Sequence, residues 1–450
     1  MNRSRNIALA AAVLVLSGCG LFRKYTDDCQ APEGLFGSDG IVEETIGDAS
    51  IGDIPWSEFF TDPLLRDLID SALARNVDVN MAGLRLQQAE EALTATKLDF
   101  LPSLYFSPSI SYNGNSSYSL PFSLDWSTPG FGSLTNRKRE ADALARQAAD
   151  NEQAVRSGIV AQVAKGYYQL QMLDRQLEIM TETEKIWADV LETQKALMEN
   201  GKAYSTSVNQ MEASLMGIKI SGVDLRNQVK NAEYAICLLL EQVPHTIERS
   251  AWDSCRISSR IGVGVPVALL DKRPDVRAAR RNVEAAYYVN RQALAAMFPS
   301  ITLSGLLGWS NGGVAISDPL KLIYNALGGL SQPLFARGQL RAKYKISRLQ
   351  QEEAAEVYAR TVLRAGNEVN NSLRGCQMAV EKYELYANQV EKLHETWTGT
   401  IELMKNGKAT YVEVLMAQDA LLQAQIGEIA NMLQGRQSLI ELYAALGGGV

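Results

Sequence analysis

Few residues in this chain have the types and spacing to do chemistry. The clearest is Cys19, which closes the stretch Leu16-Ser17-Gly18-Cys19. Small residues ahead of a cysteine admit a signal peptidase, and the thiol then takes a diacylglyceryl group. Upstream, Arg3 and Arg5 form a short basic region, and Ile7 to Leu16 is an apolar stretch too short to span a bilayer. The pattern reads as a lipoprotein signal peptide over residues 1–18 with Cys19 as the lipid attachment point. An ordinary cleaved signal with an incidental cysteine is the alternative. Gly20, where an Asp would favour inner-membrane retention, is compatible with the outer membrane.

The remaining cysteines, Cys29, Cys237, Cys255 and Cys376, include no C-x-x-C pair, so no zinc or redox motif is expected. Cys237 and Cys255 are near enough in sequence for a disulfide; buried free thiols are the other reading. The two histidines, His245 and His394, are distant in sequence, and His394 falls on a heptad slot that suits a packed residue. No G-x-S-x-G, H-E-x-x-H or P-loop is present. The expectation is therefore no enzyme, no cofactor and no metal centre. Met198, Met404 and Met416 hint at copper or silver, although Met at helical spacing is more often core packing.

Charged residues make up 21% of the 450 residues and the formal net charge is -7, with no basic patch to bind nucleic acid. Beyond the first segment no apolar run reaches the length of a membrane helix. A chain of this kind crosses a membrane only as a closed β-barrel.

The elements that would position any site follow from periodicity. Residues 20–60 lack a clear period and read as an extended lead-in. Asp62-Pro63 is an N-cap followed by Pro at the first helical position, opening a helix over 62–98. Pro102 ends it and the period becomes two. Leu104, Phe106, Ile110 and Tyr112, then Tyr118, Leu120, Phe122, Leu124 and Trp126, alternate with Ser, Asn and Asp, with a loop over 113–117. Ile301, Leu303, Leu307 and Trp309 repeat the pattern, and a weaker strand follows over 322–335. Apolar on one face and hydroxyl on the other is the pattern of a barrel with lipid outside and water inside; a soluble sandwich edge is the alternative. Long helices without proline are expected over 136–199 and 339–405. Their 3-4 stripes (Leu170, Leu173, Leu177, Met180, Trp187, Leu191, Met198, and Leu373 to Met404) predict coiled-coil packing on returning helices over 205–242 and up to Leu446. The shorter helices, 62–98 and 272–297, would stack end-on to complete the length.

The chain repeats itself. Leu197-Met-Glu-Asn-Gly-Lys-Ala recurs as Leu403-Met-Lys-Asn-Gly-Lys-Ala, 206 residues on, and Phe100-Leu-Pro-Ser-Leu resembles Phe298-Pro-Ser-Ile. In each copy Asn-Gly stops the long helix, with Gly201 and Gly407 in the left-handed cap conformation, and Ser205 or Thr206, and Thr410, start the return. The organisation reads as a signal peptide (1–18), a lipid-anchored extension (19–60), a first repeat (61–255, β-hairpin 101–128, tip near 200–205) and a second repeat (256–446, β-hairpin 300–335, tip near 406–410).

These features together resemble the TolC-type outer-membrane efflux channels, and within them the lipid-anchored OprM/CusC branch. The resemblance is carried by Trp56-Ser-Glu-Phe-Phe-Thr-Asp-Pro63, Leu68-Ile69, Ala72-Leu73 and Asn76, Pro102-Ser103, Leu270-Asp-Lys-Arg-Pro-Asp-Val-Arg-Ala-Ala279, Phe298-Pro-Ser-Ile-Thr-Leu303 and Pro333-Leu-Phe335 with Gly338. It covers roughly residues 50–446. It implies a mainly α fold with a membrane β-barrel. Three protomers, four strands each, close one twelve-stranded barrel above a periplasmic α-barrel of coiled-coil hairpins. It also implies a passive exit duct for small molecules, opened by a periplasmic adaptor (membrane fusion) protein and an inner-membrane pump, an RND-type pump for this branch.

In that family, acidic residues near the second tip ring the periplasmic constriction. The match carries Glu413 to an acidic position and Met416 to one usually held by Asp; Asp419 lies about one turn further on. Solvated acids at a helix start are the bland reading of Glu413 and Asp419. Gly201, Lys202, Tyr204 and Ser205 at the first tip, with Gly407 and Lys408 at the second, are candidates for docking the adaptor. A lipid-anchored coiled-coil scaffold or adaptor, and a type I protein secretion duct, remain as alternatives.

Overall fold

The computed structural model describes residues 23–26, 51–112, 116–130, 132–252, 271–311 and 321–449. The signal peptide, Cys19, Gly20, Cys29 and Cys255 lie outside them. In chain order the helices are α1 (Trp56–Phe59), α2 (Pro63–Arg75), α3 (Val77–Leu98), α4 (Ser133–Glu199), α5 (Ser205–Leu239), α6 (Pro274–Ala295), α7 (Gln339–Lys405) and α8 (Tyr411–Ala445). The strands are β1 (Ser103–Phe106), β2 (Ser109–Tyr112), β3 (Ser116–Thr128), β4 (Ser300–Ser310) and β5 (Lys321–Ser331). The two halves match closely. α4 and α7 have 67 residues each, and α5 and α8 have 35 each. At ~1.5 Å per residue the long helices are about 100 Å in length. The chain forms two compact units, each drawing on both halves.

The first unit takes residues 82–152 and 275–362 with the N-terminal piece. Its sheet runs β1-β3-β4-β5, all antiparallel, with β2 also on β3. β1 and β2 keep a single register against β3, from Ser103↔Asp125 to Tyr112↔Ser116. They are one strand, interrupted where Ser107 N donates to Pro121 O at 3.2 Å and Pro121 has no N–H to return. Ser116 and Ser117, expected in the loop, are already in β3.

Directly opposed residues share a face. One row runs Phe106, Phe122, Leu307, Tyr324, and the next Leu120, Trp309, Leu322. The Phe106 and Phe122 rings stack at 4.7 Å. The other face carries Ser103, Ser109, Ser119, Ser123, Thr302 and Ser304, interrupted by Tyr105, Pro121, Leu306, Ile323 and Leu327. Gly308 is required where β3 crosses it, because a Cβ there would meet Leu120 O at 2.5 Å. Helices of this unit are tied by Arg277 Nε to Asp150 Oδ1 at 2.8 Å. The N-terminal piece rests on α6, with the Tyr25 and Tyr287 rings 5.6 Å apart.

The second unit takes residues 33–81, 153–274 and 363–450. Its core joins Leu65, Ile69 and Ala72 of α2 to Val163, Ala164, Tyr167 and Leu170 of α4 and Ile236 and Cys237 of α5, all buried. Asp62 holds two elements at once. Its Oδ1 accepts from Leu64 N at 3.0 Å as the N-cap of α2, and its Oδ2 accepts from Tyr167 Oη at 2.7 Å.

The single helix expected over 62–98 is two. Asn76 is buried at the break, where its Oδ1 accepts from Asp78 N and Val79 N to cap α3. Its Nδ2 donates to Leu239 O, at 3.0 Å, where α5 ends. The second half solves the same problem differently. Arg273, 6% exposed, donates to Ala445 O at the end of α8 and to Glu368 Oε2 on α7, at 3.2 and 2.6 Å. At the end of each returning helix a backbone carbonyl thus accepts from a buried side chain, Asn76 Nδ2 in the first half and Arg273 Nη1 in the second.

The segment after α5 is fastened by charge. Arg249 forms a fork on Asp174 of α4 and also meets Glu233 Oε1 at 2.7 Å. Lys230 reaches Glu233 Oε2 at 2.8 Å. Burial pushes the Glu233 carboxyl up, but the bonds from Lys230 and Arg249 outweigh it and hold the group below its usual range.

Cys237 is a buried free thiol beside His245, with Sγ 3.5 Å from Nδ1, so the described structure holds it unbridged. Cys376 is also free and buried, and burial, with the Glu441 charge adding, pushes its thiol up to about 11.

Candidate functional site: the helical tips

The two tip turns have the same backbone. Gly201 has φ +68° and Gly407 φ +71°, a conformation that favours glycine. Lys202 N donates to Leu197 O and Lys408 N to Leu403 O, both at 2.8 Å. Gly201 N donates to Met198 O and Gly407 N to Met404 O, both at 2.9 Å. This paired closure satisfies the last helical carbonyls of α4 and α7 and reverses the chain.

The returning helices start differently. At the first tip the N-cap is Tyr204, with no side-chain cap; neither Ser205 nor Thr206 serves, because both are already helical. A buried polar pair replaces the cap. Gln194 Nε2 donates to Ser207 Oγ at 3.0 Å, and Ser207 Oγ donates to Tyr204 O at 2.6 Å. Around it Trp187, Leu191, Val208, Met211 and Leu215 form a dry core, and Lys195 pairs with Glu212 at 2.6 Å on its flank.

At the second tip Thr410 is the N-cap in a full capping box. Thr410 N and Oγ1 donate to Glu413 Oε2 at 2.6 and 2.9 Å, and Glu413 N donates to Thr410 Oγ1. These bonds from Thr410, the backbone one first, hold the Glu413 carboxyl below its usual range.

The stripe of α7 is weaker than that of α4. Between Ala379 and Met404 it has half-buried residues such as Tyr383, Val390 and Trp397 but none fully buried. His394, expected in a packed slot, is exposed, with its ring 5.8 Å from that of Trp397 in an edge arrangement; Leu393 is half-buried beside it.

Glu413, Met416 and Asp419 lie three residues apart on the exposed face of α8, opposite buried Val414, Ala417, Gln418 and Leu421. The structure therefore groups the two acids and the methionine on one face, with Met416 69% exposed. Gln418 was missed by sequence reasoning. It is buried, and its Oε1 has no partner among the described residues. Lys202 and Lys408 are exposed and make no ion pair among the described residues, and Tyr204 is 83% exposed. Met198, Met404 and Met416 differ in exposure, being half-buried, buried and exposed. No cluster of three or more His, Cys, Asp or Glu able to hold a metal occurs among the described residues. No described helix is long and apolar enough to cross a membrane.

Comparison with known proteins agrees with this architecture. The "Probable outer membrane lipoprotein SilC" of Salmonella typhimurium is 26% identical over 412 residues, covering 89% of each chain. The "Antibiotic efflux pump outer membrane protein ArpC" of Pseudomonas putida is 25% identical over 472 residues, covering 98% of this chain and 95% of that protein. The crystal structure of the Campylobacter jejuni CmeC outer membrane channel superimposes with a TM-score of 0.84 at 18% identity, over 95% of this chain and 94% of that one. It establishes a common fold of long helical hairpins and an antiparallel β-sheet. Residues 68–241 and 265–448 match the family described as "Outer membrane efflux protein". The chain belongs to the outer membrane efflux protein family.

Proposed function

We propose that this efflux protein is the passive exit duct of a tripartite system, closed as a homotrimer and anchored by lipid at Cys19. The observation that carries the reading is the sheet. Its register separates an apolar, aromatic face from a hydroxyl face, while β1/β2 at one end and β5 at the other are edges with no partner strand among the described residues. Open edges are not tolerated in lipid, and four strands cannot close a barrel. Three copies supply twelve strands, with the apolar faces to lipid and the hydroxyls to water.

Several further features support the details. Arg23 packs only four residues beyond Cys19, and Tyr287 Oη donates to Arg23 O at 3.4 Å, so the anchor would be tethered close to α6. The relative named as a lipoprotein supports the same point. The exposed tips, with Lys202, Tyr204 and Lys408, suit an adaptor's helical hairpin, and the exposed acids Glu413 and Asp419 suit a cation-favouring constriction with Met416 between them. The two matched halves support division into repeats over 61–255 and 256–446. The relative named for antibiotic efflux favours small molecules as cargo and a pump as the partner; an RND-type pump is the partner that the branch resemblance implies.

The experiment is reconstitution of the full-length lipidated protein into planar bilayers. Stepwise conductance is expected. A preparation that inserts into lipid and never conducts would overturn the duct.

A further inference from the structure

Among the described strand residues, only Asp125 and Lys321 are charged. Both lie on the hydroxyl face. Asp125 stands between Ser103 on β1 and Ser304 on β4, and Lys321 opposes Ser310, which in turn opposes Ser119. Asp125 is exposed and has no ion pair among the described residues, whereas nearby Asp99 is paired with Arg137 at 3.1 Å. The two charges are at opposite ends. Asp125 lies three residues before β3 ends towards α4, and Lys321 opens β5 at the far turn. The six residues from Ser304 to Ser310 separate them by about 20 Å at ~3.3 Å per residue.

We propose that Asp125 is a selectivity residue: one copy per protomer forms a carboxylate ring at the helix-proximal end of a hydroxyl-lined lumen, and that ring enriches cations. This rests on the closed trimeric barrel proposed above. The assignment of face is independent of the tips. Asp125 alternates with Leu124 and Trp126, which belong to the lipid-facing rows, so the carboxylate points to water.

The size of the effect follows from geometry. Twelve strands about 4.8 Å apart and tilted by about 40° close at a radius of roughly 12 Å. Three carboxylates at that distance enrich cations on the axis about threefold at ~0.01 M salt, where the screening length is ~30 Å. At ~0.1 M, where it is ~10 Å, the enrichment falls below about twofold. Asp125 therefore governs passage in dilute medium and is nearly silent in concentrated salt.

The test is the reversal potential of single channels under a potassium chloride gradient, for the wild type, Asp125→Asn and Asp125→Glu. The asparagine variant is isosteric at an exposed position, so folding is expected to survive, and its conductance steps verify that. At low salt Asp125→Asn should lower the cation-to-anion permeability ratio by about tenfold, because the potential that enriches cations about threefold depletes anions by the same factor; the change should fade as salt rises, and Asp125→Glu should retain the wild-type ratio. An Asp125→Asn channel with normal conductance and unchanged selectivity at low salt overturns the role of Asp125 alone. A wild type that never conducts overturns the closed barrel, and the ring with it.

Discussion

The Glu413 carboxylate accepts hydrogen bonds from both the backbone N and the Oγ1 of Thr410, at 2.6 and 2.9 Å. The acid nearest the second tip is thus the cap that starts α8 as well as a charge facing water. The first tip has no such box and relies on Gln194 and Ser207 within a packed core. The two hairpins share their turn and differ in how the return begins.

Capping and charge can be separated. Thr410→Ala should cost about 1 kcal/mol at the helix start and speed amide exchange over 411–414 several-fold. Glu413→Ala with Asp419→Ala should lower cation preference in bilayer recordings, whereas Thr410→Ala should leave it nearly unchanged. Equal selectivity in all of these channels would remove the acids from the constriction.

The Arg249 cluster predicts acid sensitivity. The folded pKa of Glu233 is depressed, so its contribution is present above the unfolded value of about 4.5 and is lost as pH falls through the lower folded value. Amide exchange in residues 240–252 should rise below about pH 4.5. Arg249→Met should weaken that dependence and destabilise the segment, because Glu233 then keeps only Lys230 and Asp174 loses its fork. A pH profile identical in wild type and variant would refute the assignment.

Docking through the tips predicts a loss of function without a loss of fold. Lys202→Glu with Lys408→Glu should abolish resistance to exported compounds while leaving assembly and conductance intact. Cells that remain fully resistant would rule out these lysines.

Lipid attachment predicts that Cys19→Ser protein incorporates no labelled palmitate. Equal labelling of the two proteins would place the lipid elsewhere.

The elements that local chemistry dictates could be read from the sequence. The tips stand where Asn-Gly-Lys-Ala occurs twice, because a left-handed glycine after a long helix has few other uses. Asp62-Pro63 starts α2 as its residue types require. What was not legible depends on partners far along the chain. Asn76 breaks a helix because its amide finds Leu239, 163 residues away, and Arg273 reaches Glu368 over 95 residues. His394 sits in the right heptad phase, but Leu393 beside it is the better core residue and is the half-buried one of the two. Ser205 and Thr206 are good caps by type, yet Ser207 with Gln194 already closes the turn. At the site, the shared face of Glu413, Met416 and Asp419 was readable from their spacing. The capping bond of Glu413 was concealed because Thr410-x-x-Glu serves helix and charge alike.

The most direct test of the account is the molar mass of the protein extracted from outer membranes in mild detergent. A detergent-dependent homotrimer is the predicted result, since the edges of β1/β2 and β5 need neighbouring copies and the proposed twelve-stranded barrel takes three. A monomer that stays soluble once its lipid is removed would contradict it, because the strands would then close no barrel and the chain could not be a duct.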